Sequence, residues 1–220
     1  KQMTELFFNK IALNKFLDIY RNKMQAVSIE LTSLLGQNVS FPNHILGISN
    51  TYNLPGIFME PCLHMKAEVE GNINNKMICM IRYMDLITIG GFMTGVLEQK
   101  IENKRTILDF TDMDIDACKE MFNLFCGTSA RIMREYVKEN LSIVVSNIQT
   151  CNLSKVRTEY NSFFPELPFV SIKSEMFLGS FDKSYFFEAL PCKFVEYMLS
   201  KLSITNVFEK LKGTVLLIDE

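Results

Sequence analysis

Four residues at helical spacing, Asp116, Glu120, Asn123 and Gly127, are the part of this chain best equipped for chemistry. They sit in the run Asp112-Met113-Asp114-Ile115-Asp116-Ala117-Cys118-Lys119-Glu120-Met121-Phe122-Asn123-Leu124-Phe125-Cys126-Gly127. At ~100° per residue all four fall within about 60° of one another, on one narrow stripe. Arg134 continues that stripe and Arg131 flanks it, while Cys118, Met121, Phe125, Ile132 and Tyr136 fall on the opposite side, where a core is expected. Two features set the stripe apart from a plain solvated face. Asp116 and Glu120 are like charges at i, i+4, which costs a few tenths of a kcal/mol, roughly 0.2–0.5. Gly127 falls in mid-helix, where it costs roughly 0.5–1 kcal/mol relative to alanine, and its missing side chain leaves room for a partner backbone or a phosphoryl group. By residue type alone the stripe also fits an ordinary wet helix face, because exposed Asp, Glu and Asn are common.

The surrounding elements must hold that helix. Asp112 to Glu139 reads as one long helix, capped by Thr111 or Asp112, with Asp112, Asp114 and Asp116 suiting its positive N-terminal end. Leu141 to Thr150 reads as a strand, Phe169–Leu178 and Ser184–Leu190 as a hairpin around Gly179-Ser180-Phe181-Asp182, and Cys192–Leu202 as a helix. The first half has the same plan. Apolar periodicity predicts a helix from Thr4 to Leu35 with Gly36 as its cap. An extended stretch around Pro42 follows. Next comes a hairpin of Leu63–Glu70 and Lys76–Tyr83 around Gly71-Asn72-Ile73-Asn74-Asn75, in which Leu63, Met65, Ala67 and Val69 share one face. A helix from Asp85 to about Gln99 closes the half, with Gly90-Gly91 marking a close helix-packing point. The expected architecture is α+β: a pseudo-twofold antiparallel sheet with two long helices packed on it. It forms a single domain over residues 1–220, with halves of about 4–100 and 106–202 and a tail over 203–220 that contains Val215-Leu216-Leu217-Ile218. The longest irregular stretch, Asn152 to Pro168, is a candidate functional loop.

Composition narrows the function. The chain has 220 residues, 48% hydrophobic and 22% charged, a globular balance able to bury a sizeable core. With 23 basic against 25 acidic residues the net charge is −2, so no basic excess exists to neutralise nucleic acid. No apolar run approaches the ~20 residues of a membrane helix, and with no leader pattern a cytoplasmic location is expected. The six cysteines form no C-x-x-C pair and mostly neighbour apolar residues, as core thiols do. His44 and His64, the two histidines, lack metal-ligand spacing and give little support to Ser/His/Asp catalysis. No phosphate-binding glycine loop occurs. Thirteen Met and eighteen Phe can line a ligand pocket but are more commonly ordinary core.

The order Asp116-x-x-x-Glu120-x-x-Asn123-x-x-x-Gly127, on a helix followed by strand, hairpin and helix, resembles the signature helix of the CheC/CheX/FliY family of chemotaxis phosphatases. The resemblance spans roughly residues 14 to 202 by pattern, and the Glu120–Gly127 stretch by residue. The two-half layout is more like CheC and the FliY/FliM middle domain than the shorter CheX. The resemblance implies hydrolysis of the aspartyl phosphate of a CheY-like receiver, with Glu120 and Asn123 as catalytic residues. Glu120 would pair with a basic group of the receiver, and Asn123 would orient the attacking water. Asp116 and Gly127 would support them. It implies no cofactor of the chain's own, because the receiver brings Mg²⁺. Expected partners are the phosphorylated receiver and a second copy in a homodimer, with no nucleic acid and no membrane insertion. Two departures stand out. Asp18 and Arg21 occupy the Glu and Asn places of the first long helix, a degenerate second site, and Ser146 stands where the family has proline. The competing expectation is a non-catalytic, receiver-binding or flagellar-switch-like adaptor domain.

Overall fold

A computed structural model describes residues 6–49, 62–151 and 168–210. Strand β1 (Leu6–Phe8) leads into helix α1 (Lys10–Leu35), short β2 (Val39–Ser40), β3 (His44–Ser49), the hairpin β4 (Cys62–Gly71) and β5 (Asn75–Arg82), and helix α2 (Tyr83–Met93). Helix α3 (Glu98–Ile107) connects to α4 (Asp112–Val137), β6 (Leu141–Cys151), the hairpin β7 (Phe169–Leu178) and β8 (Ser184–Pro191), helix α5 (Cys192–Ser200) and β9 (Phe208–Lys210).

The main sheet is antiparallel throughout and runs β7-β8-β5-β4-β6, with β2 and β3 both on the outer edge of β7. Exchanging β3 with β6, β4 with β7 and β5 with β8 leaves the order β3-β7-β8-β5-β4-β6 unchanged when read from the other edge. Each half thus lends its first strand to the hairpin of the other, which interlocks the two. One cross-strand row shows the symmetry residue by residue: Leu46, Ile172, Glu188, Cys79, Met65 and Ile148 lie side by side. Cys79 and Glu188 are its central pair, and Glu188 is its single charge.

Helices α1 and α4, 26 residues each, cross antiparallel, with Glu30 against Arg131 and Asn22 against Tyr136. Their apolar stripes (Phe16, Tyr20, Met24, Val27 and Leu31; Met121, Phe122, Phe125 and Met133) belong to the same core as Met65, Cys79, Ile172 and Leu190 of the sheet. Burying each such side chain is worth roughly 1.5–3 kcal/mol. The opposite sheet face is buried too at His64, Met80, Phe187, Ile78 and Ala189. Cys62, Cys79, Cys118 and Cys126 are buried free thiols.

Two expectations needed correction, and one helix was not expected. The first helix starts at Lys10: Asn9 caps it, its Oδ1 accepting from Ile11 N at 2.9 Å, and Leu6–Phe8 pair instead with Phe208–Lys210. Apolar periodicity ran on past that cap because Phe8 packs on Phe16 and Phe208 from the strand. The helix expected from Asp85 to Gln99 ends at Met93, where Thr94 Oγ1 donates to Gly90 O at 2.7 Å and Gly95 takes φ +67°. Helix α3, which polar composition had hidden, follows it. Of the remaining expected features, the loop Asn152–Pro168 lies outside the described residues except for Pro168, and Val215–Ile218 lies wholly outside them.

Candidate functional site on helix α4

The first turn of α4 is fixed before the stripe begins. Asp114, 3% exposed, accepts from Thr111 N at 2.8 Å and Thr111 Oγ1 at 2.9 Å, and pairs with Lys104 Nζ of α3 at 3.0 Å. Helix α2 comes close to this turn because Gly90 has no side chain: a Cβ there would stand 2.2 Å from Asp114 Oδ1 and 2.9 Å from Asp114 Cα. Gly91 makes the same allowance for Ile101 of α3. The Gly90-Gly91 pair is therefore a packing point that sets the position of α4.

Beyond that turn, Asp116, Glu120, Asn123, Gly127, Arg131 and Arg134 are all exposed, while Cys118, Met121, Phe125 and Ile132 are buried and Tyr136 is half-buried. The stripe faces outward as its spacing predicted. Its members differ in what holds them. Asp116 Oδ1 accepts from Lys119 Nζ at 2.7 Å, and Arg131 reaches Glu30 at 3.4 Å. No hydrogen bond or ion pair within the described residues engages Glu120 or Asn123. Both project a full set of acceptors, and Asn123 also donors, into open solvent. At Gly127 a Cβ would meet nothing within 4 Å among the described residues, so packing among them gives no reason for glycine there.

The counterpart positions on α1 are closed off. Asp18 and Arg21 are exposed but pair with each other at 3.6 Å. Arginine offers five donors and no acceptor, so it cannot take a proton from water as a carboxamide oxygen can accept one in a hydrogen bond. Ser146 is the extra residue of a β-bulge in β6: Lys66 faces Asn147 and Ala67 faces Val145, which leaves Ser146 between them, its Oγ donating to Lys66 O at 3.1 Å. A bulge residue lacks a ladder partner. Proline and serine are therefore both accommodated at this point.

Under α1 lies a polar network that the sequence did not disclose. Lys23 and Glu188, both fully buried, meet at 2.6 and 2.7 Å. The Tyr20 hydroxyl donates to Glu188 and lies 3.1 Å from Ser174 Oγ, which lies 2.9 Å from His44 Nδ1. Burial, then the adjacent Glu188 carboxylate, pushes the Tyr20 hydroxyl well above its usual range. Burial, then the Lys23 and Arg21 charges, lowers His44 to about 4. A lysine on the apolar side of α1 and a glutamate in the apolar run Tyr185–Leu190 were the available signals. Among the described residues no group of three or more His, Cys, Asp or Glu side chains is placed to hold a metal ion, and no helix is long and apolar enough to cross a membrane.

Neither a protein-family model nor a curated protein sequence matches the chain. Solved structures do. FliY from Thermotoga maritima superposes with a TM-score of 0.74 at 15% identity, over 90% of this chain and 98% of that one. FliM in the FliG–FliM complex from H. pylori gives 0.68 at 11% identity, over 87% and 99%. The FliM middle domain from H. pylori gives 0.65 at 10% identity, over 88% and 99%. The chain therefore has the fold of the CheC/CheX/FliY family, in the two-half form shared by FliY and the FliM middle domain.

Proposed function

We propose that this protein is a phosphatase that hydrolyses the aspartyl phosphate of a CheY-like receiver, with one active site on α4. The observation that carries this reading is the pairing of Glu120 with Asn123: both exposed, one turn apart on one face, and free of partners among the described residues. In the reaction, water attacks phosphorus in line, the bond from phosphorus to the receiver carboxylate breaks, and inorganic phosphate leaves. The receiver supplies Mg²⁺ and a lysine, which neutralise charge on the phosphoryl group. Glu120 pairs with that lysine and fixes the docking. Asn123 holds the water by its carboxamide, a neutral group that does not repel the anion. Phosphoryl transfer depends mainly on such positioning and electrostatics. Gly127, one turn further on, leaves the helix surface open to the approaching receiver.

A second reading, a docking module without catalysis, is favoured by the α1 half, where Asp18 and Arg21 engage each other, and by the fold shared with FliM of the FliG–FliM complex. The test is the rate of phosphate loss from a Mg²⁺-loaded, phosphorylated CheY-type receiver. Acceleration by wild type that disappears in both Glu120→Ala and Asn123→Ala supports the phosphatase. Binding without acceleration supports the docking module.

A further inference from the structure

Away from the stripe, α3 and the β7–β8 turn border an open cleft of about 310 Å³, within the size range of small-molecule sites. Arg105 forms its inner wall. It is 5% exposed, its Nε is buried without an acceptor, and no hydrogen bond joins its guanidinium to any described residue. The group lies against Phe181, 4.4 Å from the ring centre, and Glu102 Oε2 stands 3.7 Å from Nη1, too far for a hydrogen bond. The Glu102 ion pair and the charge of the buried Asp85 carboxylate balance part of the Arg105 charge, but the buried Nε is left without an acceptor, which is costly, and a carboxylate, which a guanidinium binds bidentately, is its best complement. The outer wall has the opposite character. Glu98, Glu102 and Asp182 line it, and Glu98 Oε2 is held by Ser180 Oγ at 2.8 Å. Three carboxylates against one guanidinium repel a simple anion, whereas a simple cation leaves Arg105 unsatisfied. A ligand bearing both charges a few ångströms apart matches both walls.

We propose that this cleft is a binding site for a free α-amino acid, its carboxylate on Arg105 and its ammonium against the Glu98–Glu102–Asp182 wall. The site is independent of the α4 stripe.

The test is thermal denaturation of the full chain with each of the twenty L-amino acids, followed by calorimetric titration of those that respond. Acetate and methylammonium serve as single-charge controls. The expected result is a saturable rise in melting temperature of about 3–6 °C at tenfold the dissociation constant for at least one amino acid, with neither control active. Arg105→Gln and Glu102→Gln should each weaken binding by tenfold or more. Glu102 is exposed at the rim, so its variant keeps the test valid if Arg105→Gln unfolds. Silence from all twenty amino acids, an equal response to acetate alone, or undiminished binding by Glu102→Gln would overturn the proposal.

Discussion

The Lys23–Glu188 pair allows a quantitative test of how the two halves are told apart. The alignment that sets Asp18 against Glu120 sets Tyr20 against Phe122 and Lys23 against Phe125, and the sheet exchange sets Glu188 against Cys79. One half thus holds a buried ion pair where the other holds Phe125 and Cys79, both buried and apolar. Lys23 Nζ bonds both carboxylate oxygens and lies 4.1 Å from the Tyr20 ring centre and 5.0 Å from that of Phe125. Lys23→Met removes the cation that bonds Glu188 and leaves a carboxylate inside the core with the Tyr20 hydroxyl. Losing one partner of such a pair costs about 3–5 kcal/mol. For a chain of this size that is a fall of roughly 6–20 °C in melting temperature. Replacing both partners, Lys23→Met with Glu188→Leu, should recover most of the loss, because apolar replacements of buried ion pairs are commonly neutral or stabilising by about 1–4 kcal/mol. Urea unfolding of the four proteins gives the coupling energy directly. A single-variant cost below about 1 kcal/mol, or a double variant no better than the single, would refute the claim that the charges are buried and mutually dependent.

Other positions give simpler tests. Gly127→Ala should stabilise the chain by about 0.5–1 kcal/mol in chemical unfolding, since no described residue stands near the new methyl, while lowering receiver dephosphorylation. Gly90→Ala should destabilise by about 1–3 kcal/mol through overpacking, since its Cβ would overlap Asp114 backbone as well as side chain. His44 and His64, both lowered to about 4 chiefly by burial, bind fewer protons folded than unfolded between pH 6.5 and 4. Stability should therefore be complete above pH 6.5 and fall as pH drops to 4, and His64→Gln should flatten a plot of melting temperature against pH across that window.

Legibility in the sequence followed the range of the interactions. The outward face of α4 could be read because Asp116, Glu120, Asn123 and Gly127 are related by helix geometry alone, and its buried side was equally local. The hairpins were clear from alternation and turn residues, and Gly36 as a cap from its place after Leu35. Lys23 and Glu188 were not, because each is one charge within an apolar pattern and their contact joins elements 165 positions apart. Helix α3 was lost because its described buried residues are only Ile101 and Arg105. The bulge at Ser146 shows only when β6 is laid beside β4. Glu120 and Asn123 were singled out by residue type and spacing; that no described residue bonds either became visible only in three dimensions.

The most direct test of the central claim is the rate of phosphate release from a phosphorylated, Mg²⁺-loaded CheY-type receiver with wild type and with Asn123→Ala. The account predicts that wild type accelerates release and that Asn123→Ala, folded and still bound to the receiver, returns it to the receiver's own rate. An Asn123→Ala protein as active as wild type would contradict it.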